Sequence, residues 1–83
     1  MAIKIHPHAR GRMKERGATD EEVIKTVEEG EEFPAKFGRV GLRRNFAFES
    51  IWRARNYKIK QLEVYGVKEG KDFIVISVIV KYF

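Results

Sequence analysis

The chain contains no cysteine, which excludes a disulfide framework and any thiolate-ligated metal. That fits a reducing compartment such as the cytoplasm. It also lacks a long apolar run. The longest, Phe73–Val80, is broken by Ser77 and falls far short of the ~20 residues a membrane helix requires, so no membrane partner is expected. The N-terminal MAIKIHPH has no apolar core of the secretory kind. Proline occurs twice and tryptophan once, and there is no repeat, linker or low-complexity tract. At 83 residues the chain reads as one domain, residues 1–83, which buries only about 60–65% of its unfolded surface.

Acidic residues are scarce except in one place. Seven of the 12 carboxylates lie between Asp20 and Glu32, and the rest of the chain carries 16 of the 17 lysines and arginines. The net charge of +5 hides this asymmetry. The densest stretch, Lys36–Lys60, has eight cations, one acid (Glu49), and the aromatics Phe37, Phe46, Phe48, Trp52 and Tyr57 between them. Cations interleaved with aromatics suit a phosphate backbone and stacked bases, so the composition points to a polyanionic partner.

The first third reads as two helices. Ala2–Ile5 is a short edge strand; Pro7 then suits the first helical position. That helix runs to Arg16 and stops at Gly17, a left-handed cap. Thr19 opens a second helix through a capping box with Glu22, with Ala18 stapling onto Val23. Asp20, Glu21 and Glu22 complement its dipole, Val23, Ile24 and Val27 share its apolar face, and Gly30 ends it. From residue 33, glycines at 38, 41, 66 and 70 punctuate runs of aromatic and branched residues. Strands are expected at about 41–48, 50–55, 57–67 and 72–82, with Lys68–Lys71 as a hairpin tip and the doubly apolar last strand in a central position. Helices followed by an antiparallel sheet make an α+β domain.

The first helix is poorly built for packing. Only Ala9 and Met13 form an apolar stripe, whereas His8, Arg12 and Arg16 align at i, i+4, i+8, an unfavourable like-charge row. The row is either a solvated face or a phosphate-facing stripe, and His8 is of the type that transfers protons near neutral pH. His6 and His8 have no further metal ligands at matching spacing, so no metal site is expected. In the strand 57–67, alternation puts Lys60 with Leu62 and Val64, and Ile59, Gln61, Glu63 and Tyr65 on the other face, unless a bulge shifts the register after Ile59. A lysine on the core side reaches the rim or points into a concave site. Ser77 is read as a buried hydroxyl bonded to backbone, the alternative being the polar floor of a ligand site. Tyr82 lies on the opposite face from Ser77, near a chain end of the kind that docks loosely. Trp52 reads as a core or rim anchor; Phe46 and Phe48 read as core.

Several of these residues coincide with a known pattern. His8, Arg12-Met13, Glu15-Arg16-Gly17, Glu21-Glu22-Val23 and Gly30-Glu31, then Trp52, Tyr57, Lys60, Glu63-Val64, Ile74-Val75-Ile76-Ser77-Val78 and Lys81-Tyr82-Phe83, resemble the family called domain of unknown function 4258. That family usually has Thr where this chain has Ser77. The resemblance implies a fold similar to the RelE and BrnT toxins, with a two-helix hairpin on a twisted antiparallel sheet of about four strands. Those toxins are metal-independent ribonucleases paired with protein antitoxins.

Carried over by position, the catalytic candidates are His8, Arg12, Arg16, Lys60, Ser77 and Tyr82. Cleavage would proceed by attack of the ribose 2′-hydroxyl on the adjacent phosphate, with His8 as base or acid and Arg12, Arg16 and Lys60 on the phosphate. Arg43, Arg44, Arg53, Arg55 and Lys58 would hold flanking phosphates, and no cofactor is required. Glu63 is an alternative base, but it faces away from Lys60. Two other readings use the same cations: a non-catalytic module that grips RNA or DNA, and a basic domain that meets an acidic protein such as an antitoxin. The chain is expected to be a monomer or a small homo-oligomer.

Overall fold

The computed structural model describes residues 1–83. In chain order the elements are β1 (Ile3–Ile5), α1 (Pro7–Arg16), α2 (Asp20–Glu29), β2 (Glu31–Pro34), β3 (Val40–Trp52), β4 (Arg55–Glu69) and β5 (Asp72–Tyr82). They form an α+β domain with five strands in the order β1-β5-β4-β3-β2, rather than the four expected. β1 runs parallel to β5 and the other pairings are antiparallel, so the sheet is mixed. Both helices lie on one face. Ala9, Met13, Val23 and Val27 pack there against Leu42, Leu62, Val64, Phe73, Val75 and Val78.

Both helices form where the local signals place them. His6 caps α1, its side chain accepting from the His8 amide, and Gly17 closes it at φ 79. The capping box of Thr19 and Glu22 opens α2. One packing position differs: Ile24 is exposed, and Thr26 occupies the buried site, its hydroxyl donating to Glu22 O at 2.8 Å.

The strands depart further from expectation. β2 was not foreseen because EEFP is polar and ends in proline; as an edge strand it tolerates both. The expected strands 41–48 and 50–55 are one strand, β3, with a bulge between Ala47 and Ser50 and Glu49 at φ 43. The chain reverses at Arg53-Ala54, both with positive φ. A two-residue turn of that kind normally calls for Asn-Gly, so Arg-Ala left no trace of it in the sequence.

A second bulge lies in β4, where the amides of Lys58 and Ile59 both donate to Phe83 O (2.7 and 3.0 Å). It precedes Lys60, so Lys60 keeps register with Leu62 and Val64. Fifteen residues of β4 would extend about 50 Å if straight, yet the longest dimension of the domain is 41 Å. The bulges bend the β3–β4 hairpin so that its tip meets the end of α1. Finally, β5 lies between β1 and β4 in the sheet order, but is enclosed on both sides only over its first part. It is flanked by β1 only at Phe73–Val75, and beyond the bulge after Tyr65/Ser77 its outer edge has no strand beside it.

Candidate nucleic-acid interface

The end of α1 is held by three side chains from the sheet and the helix itself. Lys60, 4% exposed, donates from Nζ to Glu22 Oε1 at 2.7 Å and to Gly17 O. The same Glu22 oxygen accepts the Thr19 amide at 2.9 Å, so one carboxylate both caps α2 and anchors the sheet. Tyr82 Oη donates to Arg16 O at 2.8 Å, and Arg16 Nη1 donates to Val78 O at 2.6 Å. Gly17 is required twice over. Its φ is left-handed, and a Cβ there would lie 2.7 Å from Trp52 Cζ3 and 2.8 Å from Tyr82 Oη. Burial pushes the Tyr82 phenol above its ordinary value; the Glu22 charge adds to the rise and Arg53 opposes it.

The bent hairpin brings a second set of groups to this place. Trp52 stacks on Tyr82 (centroids 5.0 Å, 16°), with Phe48 and Tyr57 on the flanks of the same ring. Arg53 lies over Trp52 and donates from Nη2 to Glu15 O at 3.2 Å. The hairpin tip is thereby tied to the last turn of α1. Arg53 and Arg55 at the tip and Arg12 on the helix are all exposed, and Arg12 pairs only with Glu15, at 3.2 Å. Arg16, Trp52, Arg53, Ile79, Val80 and Tyr82 line an open cavity of about 150 Å³.

The expected residues therefore fall into separate groups. Arg16, Lys60 and Tyr82 converge at the end of α1, but they spend donors on backbone carbonyls and on Glu22. Lys60 neither snorkels to the rim nor points into an open site. Tyr82 is firmly docked, not loose. His8 sits two turns earlier, about 12 Å along the helix axis from Arg16, at the exposed start of α1, with Arg12 between. Ser77 is on the sheet face away from the helices, half-buried opposite Tyr65, so the buried, backbone-bonded hydroxyl expected there is not what the structure has.

The flanking cations also divide. Arg53 joins the α1 surface through Glu15, Arg55 is exposed beside it at the hairpin tip, opposite Trp52, and Lys58 is exposed near the bulge. Arg44 lies over Phe46, 3.9 Å from Glu29. Arg43 is on the far face. There it stacks on Phe33 and places Nε, buried without a hydrogen-bond partner, 3.5 Å from Glu63 Oε2. Glu63, facing away from Lys60 as the alternation requires, is nearly buried in the middle of that face and accepts from Tyr65 Oη (3.1 Å) and Lys81 Nζ (3.2 Å). Burial, then the Glu63 hydrogen bond and charge, raise the Tyr65 phenol, with Arg43 opposing.

Sequence reasoning missed the partnership of Glu22 with Lys60 and the close approach at Gly17. Both residues were recognised as caps, and a cap explains each completely at the local level. No group of three or more His, Cys, Asp or Glu is placed to hold a metal ion, and no helix is long and apolar enough to cross a membrane. Fold and surface together define a small α+β domain that presents a helix and a hairpin tip as one basic surface. No protein-family model, curated protein or solved structure matches the chain.

Proposed function

We propose that the protein is a non-catalytic RNA-binding domain of RelE-like form, which grips the phosphate backbone with Arg12, Arg53 and Arg55. The observation that carries this reading is the hydrogen bond from Arg53 to the Glu15 carbonyl, because it makes the helix and the hairpin tip one surface with fixed spacing between cations. Binding is favoured over cleavage for two reasons. His8 is about 12 Å from the Arg16 end of α1, too far to share a phosphate with Lys60. And Lys60 and Tyr82 serve the fold with the donors a scissile phosphate would need, while Arg16 gives one N–H to Val78 O.

The test is fluorescence anisotropy with labelled single-stranded and hairpin RNA in EDTA, followed by gel analysis of the recovered RNA. Three phosphate contacts on a single strand give a slope of log affinity against log salt of about −2. The Arg53→Ala, Arg55→Ala double variant should flatten that slope by more than half, with the RNA intact throughout. Cleaved RNA in EDTA, or binding indifferent to salt, would reject the reading.

A further inference from the structure

The outer edge of β5 is unoccupied where the basic surface adjoins it. Ile59 and Phe83 exchange both of their backbone hydrogen bonds, which fixes the alternation along β5. Residues 79, 81 and 83 bond inward to β4, and Val78, Val80 and Tyr82 present N–H and C=O groups outward. β1 stops at Ile5, opposite Val75, so no strand receives them. The Arg16 guanidinium takes the Val78 carbonyl; no strand pairs with the amides and carbonyls of Val80 and Tyr82. An open edge of this kind is a template for an added strand. It is also the wall of the 150 Å³ cavity whose other walls are Arg16, Arg53 and Trp52.

We infer that this edge receives an extended acidic peptide from a protein partner, which adds as a sixth strand beside Val78–Tyr82 and places a carboxylate side chain between Arg16 and Arg53. Charge selects the occupant. The two arginines at the edge, within a chain of net charge +5, disfavour the symmetric pairing of two β5 edges. The chain's own acidic edge strand, β2, is a poor occupant. It is four residues long, ends in Pro34, and its Glu31 and Glu32 already face Arg43 and Lys68. An external strand with alternating acids meets both demands: it supplies the missing backbone partners and a carboxylate shared by the two guanidiniums. Because Arg53 also belongs to the proposed RNA surface, the bound peptide would displace RNA; that clause alone rests on the RNA reading.

The probe is a synthetic peptide alternating Val and Glu, titrated to millimolar concentration. Binding is read by the fluorescence of Trp52, the chain's one tryptophan, and by backbone amide exchange. The expected result is at least about tenfold slower exchange at Val80 and Tyr82, with a Trp52 signal change. The effect should be lost when the peptide's alternate amides are N-methylated and weakened in Arg53→Ala, which removes an exposed side chain and leaves the core intact. Equal binding of a Val-Lys peptide, or no protection at Val80 and Tyr82, would overturn the inference. So would protection that appears without peptide together with sedimentation as a dimer or filament, since a second copy would then be the occupant. Peptide binding in a protein that fails to bind RNA would leave this inference standing and reject only the RNA reading.

Discussion

If Lys60 is a structural clamp, its energetic signature is coupling to Glu22. The Lys60 side chain is 5% exposed and Glu22 21%, so the two single substitutions are not equivalent. Glu22→Gln keeps a capping side chain for the Thr19 amide but strands an ammonium that water scarcely reaches. Breaking a buried pair this way costs about 3–5 kcal/mol, and the remaining Gly17 carbonyl places the expected loss near 3 kcal/mol. Lys60→Met forfeits two charge-assisted hydrogen bonds of about 1.5–3 kcal/mol each. It leaves Glu22 accessible to water, however, and puts an apolar chain against Phe48 and Tyr82, for a net loss of about 2 kcal/mol. The double variant strands no charge and should also lose about 2 kcal/mol, a coupling of about 3 kcal/mol. Urea denaturation measures all four proteins, and in a domain of this size each kcal/mol moves Tm by about 4–8 °C. Additivity within about 0.5 kcal/mol would refute the clamp. So would a Lys60→Met protein of undiminished stability that had lost RNA affinity, which would make Lys60 a ligand-facing group.

Four further outcomes follow from the same geometry. Gly17→Ala should cost more than 2 kcal/mol, since a left-handed alanine loses about 1–2 kcal/mol before the Trp52 and Tyr82 contacts are counted. Gly11→Ala, on an open helix face with nothing within 4 Å, should gain about 0.5–1 kcal/mol; thermal melts compare the two. The raised Tyr82 phenol keeps its proton in the folded state while the unfolded chain ionises. Its contribution is thus fully present below the unfolded value and lost as pH rises toward the folded one, and the urea midpoint should fall from about pH 10 upward. Tyr82→Phe should be less stable than the parent at neutral pH, through the lost bond to Arg16 O, and should show a shallower alkaline decline. An identical decline in both proteins would assign it elsewhere.

The helices were legible because their determinants are local. Pro7, Gly17, Thr19, Glu22 and Gly30 each mark a terminus through their own backbone or a neighbour three residues away. Alternation in β4 likewise separated Lys60 from Glu63 correctly. What was illegible depended on strand partners. The last strand was expected in a central position because it is apolar on both faces, yet Ile74 and Ile79 lie on a sheet face no helix covers. An apolar residue does not reveal how much of its neighbourhood a small chain can fill. Nor did Arg53-Ala54 signal a reversal, because the stacking of Trp52 on Tyr82 and the bond from Arg53 to Glu15 hold a turn that neither residue favours.

The candidate site divides along the same line. The amino-acid sequence by itself determined that the charge is lopsided, that the first helix buries only Ala9 and Met13, and that Lys60 is on the core side of its strand. Each follows from composition or from a period of 3.6 or 2. Only the tertiary structure decided what those features are for. Whether Arg16, Arg53 or Lys60 meets solvent, a carboxylate or a carbonyl depends on residues 38 to 62 positions away, brought together by two bulges and a bent hairpin. That convergence turned Lys60, Arg16 and Tyr82 into supports of the fold and left Arg12, Arg53 and Arg55 facing water as one surface.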